Sequence, residues 1–201
     1  SETQHLQSIG VMASGIISDL SVFSDDVFKS GNRYNEVLIA YGVLTDQALG
    51  EDDKKYRESQ IQTNFTSVVA WMEASVQHFA LHDKGNMVVL GSVAGDRGRM
   101  SNYIYGTCKA AVEVYTEGLQ HRFGKNKDIN ILLVKPGFVD TPMTANITKK
   151  GFLWAKSDKI ADDVVCAIKR KKRVIYTPWF WFWIMLIIRN LPAVIFEKTR
   201  L

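Results

Sequence analysis

Asn86-Met-Val-Val-Leu-Gly91-Ser92 is the stretch that decides the fold. Met87 to Leu90 is a short unbroken apolar run, the pattern of a strand covered by helices on both faces. Gly95 and Gly98 follow in Val93-Ala-Gly95-Asp96-Arg-Gly98-Arg99 and suit a loop. The amphipathic stretch Tyr103–Phe123 then reads as a helix. Strand, loop and helix together form the repeating unit of a parallel α/β protein. Working outward, strand-like runs at Val11–Ser18, Glu36–Tyr41, Asn86–Gly91, Ile129–Lys135 and Val174–Thr177 alternate with helical stretches. Gln60–Leu81 is one such stretch, and Asp158–Arg170 is another, with Ser157 as its expected N-cap. The spacing predicts an α/β fold on a doubly wound parallel sheet, occupying residues 1–178 of a chain of 201.

The remaining residues, 179–201, are of a different kind. Trp179-Phe-Trp-Phe-Trp-Ile-Met-Leu-Ile-Ile188 is an apolar run ended by Arg189 and Asn190. As a helix it would be about 15 Å long, half the thickness of a bilayer core, so it cannot span. Either it covers the domain at the substrate cleft or a subunit interface, or it lies on a membrane surface, where indoles and neighbouring cations are favoured. The net charge of +4 is concentrated at Lys169-Arg-Lys-Lys-Arg173. That run reads as a solvated helix end, and no aromatic-and-basic motif accompanies it to suggest nucleic acid. Cys108 and Cys166 lack metal-type spacing, and a reducing, cytoplasmic compartment is expected, with the inner face of a membrane as a variant. His78 and His82 lack the acidic neighbour of a metalloprotease helix, so no metal site is expected.

The chemistry-bearing residues cluster around the opening stretch. Tyr105 and Lys109 are four apart and share a helix face. An ammonium beside a phenol favours the phenolate, so Lys109 is expected to lower the Tyr105 pKa and make it a general acid or base. Ser92 ends its strand thirteen residues before Tyr105, where side chains of open α/β sheets face the ligand crevice. Asn64 lies inside a long helix despite being a poor helix former, and reads as a kink with a freed carbonyl. Val134-Lys-Pro136-Gly137-Phe-Val139-Asp-Thr141 ends another strand and can bring backbone close to a ligand.

In this order and spacing, Asn64, Ser92, Tyr105 with Lys109, and Pro136-Gly137 through Thr141 resemble the short-chain dehydrogenase/reductase family. The resemblance implies a Rossmann-like fold, NAD or NADP as cofactor, and a catalytic tetrad of Asn64, Ser92, Tyr105 and Lys109. Tyr105 would exchange the substrate proton, Ser92 would orient the carbonyl, and Lys109 would also bind the nicotinamide ribose. Asp19 and Leu20 would lie by the adenine. Ala40, Gly42, Pro136, Gly137, Val139 and Thr141 would line the dinucleotide, with Thr141 on the carboxamide. A homodimer or homotetramer through the Tyr103–Phe123 helix is also implied.

The chain departs from the family pattern in two ways. The family's Asn-Asn-Ala-Gly reads Ile39-Ala40-Tyr41-Gly42 here, keeping only the last glycine. The glycine-rich turn and the first two strands have no counterpart, so a longer protein is expected. The phrases Ala40 to Gln47 and Val93 to Arg99, with the Trp-rich tail, resemble a branch containing the reductase of decaprenylphosphoryl 2-keto-pentose. That resemblance implies a lipid-linked ketosugar and gives the basic run and aromatic tail a joint purpose. The alternative expectation is a scaffold that keeps the fold and has lost the cofactor.

Overall fold

The structure, a computed structural model, describes residues 18–24, 26–29, 31–145, 147–148 and 151–199. After the single turn α1 (Asp26–Lys29), β1 (Glu36–Ile39) leads to α2 (Gln47–Asp52) and α3 (Lys54–Ile61). A π turn, Gln62–Thr66, joins α3 to α4 (Ser67–His82), so the helical stretch begins before its expected start at Gln60 and ends at His82, one residue past its expected end at Leu81. Next come β2 (Gly85–Leu90), a 3-10 turn at Val93–Gly95, α5 (Tyr103–Arg122) and β3 (Ile129–Pro136). Two short strands, β4 (Phe138–Asp140) and β5 (Trp154–Lys156), precede α6 (Ser157–Lys169), β6 (Val174–Thr177), α7 (Trp181–Asn190) and α8 (Ala193–Phe196).

The main sheet has the order β1-β2-β3-β6 and every pairing in it is parallel. Its strands alternate their side chains between two cores, as the period of two requires. Met87, Val89 and Ile131 meet Val68, Met72, Val76 and Phe79 of α4 and Val112 and Leu119 of α5. Val88, Leu132 and Val134 meet Ile160, Val164 and Ala167 of α6. Helices on both faces explain why β3 is buried along almost its whole length and why Ile131 to Val134 within it is an unbroken apolar run. The outer edge of β1 pairs with no described strand, and Leu38 on it is 60% exposed. The expected strand Val11–Ser18 lies outside the described residues except for Ser18, which is in no strand.

Side chains set several boundaries. The Asp46 carboxylate accepts from the Leu49 amide at 3.0 Å and starts α2, and Asp53 accepts from Tyr56 at 3.1 Å to start α3. Asp83, at φ 51°, ends α4 in the left-handed conformation that Asp tolerates better than most residues. Ser157 is not the N-cap expected from the sequence: it is the first residue of α6, and Lys156, paired in β5, holds the cap position without a side-chain bond. The sheet register carries Lys156 in extended geometry up to the helix, leaving Ser157 already helical.

Candidate active site

The four residues expected to form the tetrad come from three neighbouring segments at the carboxyl ends of β1 and β2. Asn64 is fully buried at the centre of the π turn, so the poor helix former does mark a local break. Its Oδ1 accepts the Val43 amide at 2.9 Å and holds the loop that follows β1. The same loop presents Gly42, where an added Cβ would stand 2.9 Å from Asn64 Oδ1 and 3.7 Å from Lys109 Nζ. The glycine therefore keeps a space open between the amide, the ammonium and the backbone.

Ser92 lies two residues past β2 in extended backbone, and its hydroxyl accepts the Ala94 amide at 3.1 Å. The 3-10 turn behind it lies directly on α5. A Cβ on Gly95 would come 2.9 Å from the Ala110 nitrogen, and one on Gly106 would come 2.8 Å from the Ala94 oxygen. This close approach, which a Cβ on either glycine would block, brings Ser92 to the Tyr105 phenol, where its hydroxyl draws the phenol pKa down. Lys109 is 4% exposed, and its Nζ donates to the Leu90 carbonyl at 3.0 Å, tying α5 to the end of β2.

The electrostatics correct one expectation. Tyr105 is pushed up to about 12, with burial as the main cause, and the Ser92 hydroxyl only partly offsets it. Burial likewise pushes Lys109 down to about 8. Lys109 Nζ is 5.6 Å from the Tyr105 ring centroid and is turned toward Leu90, so its charge does not outweigh the loss of solvation. At neutral pH the phenol keeps its proton and is set up as an acid.

The remaining expected site residues are placed less uniformly. Pro136 ends β3, and Gly137 follows, partly buried, beneath the indole of Trp181. A Cβ there would lie 1.9 Å from Trp181 Nε1, so glycine is what lets α7 pack at this point. Val139, in β4, pairs with Ala155, and partly buried Thr141 stands at the N-cap position of the 3-10 turn Pro142–Thr144. Ala40 is exposed just past β1. Asp19 lies in an exposed turn with its carboxylate already accepting from the Ser21 amide and hydroxyl at 2.9 and 2.7 Å. Leu20 lines an open cleft of about 260 Å³ along the outer edge of β1, with Phe28, Tyr34 and Trp71, not the cluster around Tyr105.

The fit to a dinucleotide is therefore uneven. Between Asn64 and Lys109 there is a space that a Cβ at Gly42 would fill, and Asn64 Nδ2 is buried with no partner. Those features suit a nicotinamide and its ribose. The glycine-rich turn that would hold a pyrophosphate has no counterpart among the described residues. Among the described residues no cluster of His, Cys, Asp and Glu could hold a metal.

Sequence reasoning missed the way α7 is anchored. Trp181 and Met185 are buried against Val93, and Arg97, in the loop after Ser92, donates to the Ile188 and Leu191 carbonyls at 2.5 and 2.7 Å. Arg97 caps the helix, and its guanidinium also stacks on Phe196 at 3.8 Å. The available signal was an arginine in a glycine-rich loop facing a helix that lacks its own C-terminal glycine. The basic run Lys169 to Arg173 enters β6, whereas α7 leaves its other end. The two therefore sit at opposite ends of a strand, and the joint purpose expected of them has no geometric support. No helix among the described residues is long and apolar enough to cross a membrane.

Comparison with known proteins agrees with this geometry. Residues 36–151 match the short chain dehydrogenase family. An oxidoreductase of Mycobacterium tuberculosis, itself described as uncharacterized, is 29% identical over 161 residues, covering 80% of this chain and 64% of that one. A second, from Streptomyces coelicolor, is 28% identical over 174 residues, with 86% and 67% covered. This chain thus spans about two thirds of the length of such relatives. Among solved structures, a short-chain dehydrogenase from Sphingobium yanoikuyae in complex with NADPH superposes with a TM-score of 0.80 at 19% identity, covering 95% of this chain and 81% of that one. A bulky-bulky ketone specific alcohol dehydrogenase from Comamonas testosteroni gives 0.76 at 20% identity, with 98% and 78% covered. The chain belongs to the short-chain dehydrogenase family.

Proposed function

We propose that the protein is an NAD(P)-dependent oxidoreductase that interconverts a ketone and a secondary alcohol, with Tyr105 as the group that moves the proton. The observation that carries this reading is the Ser92 hydroxyl on the Tyr105 phenol, with the Lys109 ammonium beside that ring and facing, together with Asn64, the space kept open by Gly42. When bound, the nicotinamide supplies or accepts the hydride. The chain does the rest. Lys109 and Asn64 offer N–H groups toward the ribose side of that space. Ser92 donates to the substrate oxygen and orients it beside the Tyr105 hydroxyl. Tyr105, protonated at neutral pH, gives its proton to that oxygen as negative charge develops on it, which suits the direction of carbonyl reduction. Asp19 and Leu20 would approach the adenine side, and Ala40, Pro136, Val139 and Thr141 the remainder of the dinucleotide. The relatives in complex with NADPH, and with NADP in a gluconate 5-dehydrogenase from Burkholderia cenocepacia, support the choice of cofactor.

The finer reading concerns the substrate. Trp179, Phe182, Trp183, Leu186 and Ile187 form an exposed stripe on and before α7, from 43% to 70% exposed, at i, i+3, i+4 spacing. An exposed apolar surface of this kind marks an interaction site. Two indoles with Arg189 beside them suit the interfacial zone of a bilayer. A lipid-linked ketosugar reduced at the cytoplasmic face of a membrane would use both the stripe and the site, without the basic run. Self-association through α5 into a homodimer or homotetramer accompanies the family reading.

The test is binding of NADPH and NADH to the full-length protein, read by nicotinamide fluorescence, followed by ketone-dependent oxidation across soluble and lipid-linked ketones. Saturable binding with turnover is expected. Absence of binding would favour the scaffold reading, for which the missing Asn side chains at Ile39 and Ala40 speak. Co-sedimentation with anionic vesicles, lost in Trp179→Ser plus Trp183→Ser, tests the stripe.

A further inference from the structure

The segments that carry Ser92 and Tyr105 also hold a set of buried charges that the proposed reaction does not use. Lys135, at the end of β3, is 1% exposed, and its Nζ pairs with Asp96 and with Glu113. The Tyr176 hydroxyl of β6 donates to Asp96 Oδ2 at 3.0 Å, and Lys135 Nζ lies 5.0 Å from the centroid of that same ring. Arg99 adds a second cation close enough to feel the Asp96 charge. Two cations and two carboxylates are thus gathered where solvent barely reaches.

Stability does not explain such a cluster. Removing two charges from water costs several kcal/mol each, and buried ion networks can often be replaced by apolar side chains with no loss of stability. What the cluster does have is position. Asp96 is four residues after Ser92, in the loop that carries it. Glu113 is four residues after Lys109 and eight after Tyr105, on the same stripe of α5. Lys135 immediately precedes Pro136 and Gly137. One ammonium therefore joins the three segments that carry the catalytic hydroxyl, the catalytic phenol and amine, and the turn after β3. Directional ionic hydrogen bonds fix relative placement more sharply than apolar packing does.

We propose that Lys135 is a positioning residue: through Asp96 and Glu113 it locks the Ser92 loop against α5 and so holds the Ser92 hydroxyl on Tyr105. This rests on the reading of Ser92 and Tyr105 as the proton-handling pair. Lys135 touches neither, and its effect passes through the loop from Ser92 to Arg99.

The test uses Lys135→Met and the near-isosteric Asp96→Asn in the full-length protein, each alone and combined with Ser92→Ala. Either single variant is expected to lower kcat by about tenfold or more with KM within about twofold; Lys135→Met, which strands the Asp96 and Glu113 carboxylates, also lowers the urea midpoint, whereas Asp96→Asn keeps the Lys135–Glu113 pair and lowers it less. In the Ser92→Ala background the same substitution should lower kcat by less than about twofold further, because the group it positions is gone. Amides of residues 92–99 should exchange with solvent about tenfold faster in the single variants. Equal fold-losses with and without Ser92 would overturn the proposal, since they mark a general structural role. So would an unchanged kcat in a protein that Ser92→Ala does impair. If Lys135→Met does not fold, Asp96→Asn decides. If neither Ser92→Ala nor Tyr105→Phe alters turnover, the functional reading itself fails. The exchange of residues 92–99 then decides the locking role alone: faster exchange supports it and unchanged exchange removes it.

Discussion

Replacing Lys109 by Met should make the dinucleotide-free protein more stable at neutral pH, even though it removes a group assigned to the site. Burial moves the Lys109 pKa from its ordinary 10.5 down to about 8. Each pH unit in that gap is worth ~1.4 kcal/mol, so the charged amine opposes folding by about 3 kcal/mol at pH 7. Below pH 8 the amine is protonated in both folded and unfolded chains, and this penalty is fully present. Between pH 8 and 10.5 the folded protein has lost the proton while the unfolded chain still holds it. The unfolded state then binds more protons, so stability rises with pH, by about 2 kcal/mol between pH 7 and 9.5. Met fits the same space without charge but gives up the bond to the Leu90 carbonyl, a loss of about 1 kcal/mol. The variant should therefore be about 2 kcal/mol more stable than the parent at pH 7 and about equal at pH 9.5. The assay is urea unfolding of both proteins at the two pH values, read as a difference. Groups common to both, such as the Cys108 thiol that burial pushes up, then largely cancel. A difference that does not change with pH, or a variant less stable at pH 7, would refute the reasoning.

Two glycines give further outcomes. Gly42→Ala places a Cβ 2.9 Å from Asn64 Oδ1; it should break the Asn64–Val43 bond, destabilise by about 1–2 kcal/mol and weaken NADPH binding by about tenfold or more, as measured by unfolding and by nicotinamide fluorescence. Gly137→Ala drives a Cβ into the Trp181 indole; the helix α7 should lift, costing about 1–3 kcal/mol and shifting tryptophan emission to the red, with turnover lowered because Arg97 ties α7 to the Ser92 loop.

Much of the fold is legible because it rests on local periodicity. Val174–Thr177 is a strand as expected, and β2 and β3 differ from their expected spans by a residue at the ends, the usual uncertainty of element boundaries. The β4–β5 pair was not legible: each strand has three residues and only their pairing makes them strands. Asn64 shows how a local conflict can mark a site. A poor helix former inside a long helix has a reason there, and the reason is a π turn that carries it into the interior. The pKa of Tyr105 was misjudged because sequence spacing gives proximity to Lys109 but not the burial of both groups or the turn of Nζ toward Leu90. Lys135 reads in sequence as one more polar residue before a Pro-Gly turn. Its partners lie 39 and 22 residues away along the chain, beyond any local pattern.

The central claim is that Tyr105 carries the substrate proton, and the most direct measurement is ketone-dependent oxidation of bound reduced dinucleotide by Tyr105→Phe beside the parent protein. Phenylalanine keeps the ring in its packed position and removes only the hydroxyl. The account predicts dinucleotide affinity within about threefold of the parent and hydride transfer slower by about a hundredfold or more. Transfer at the parent rate in Tyr105→Phe, with the dinucleotide still bound, would contradict it.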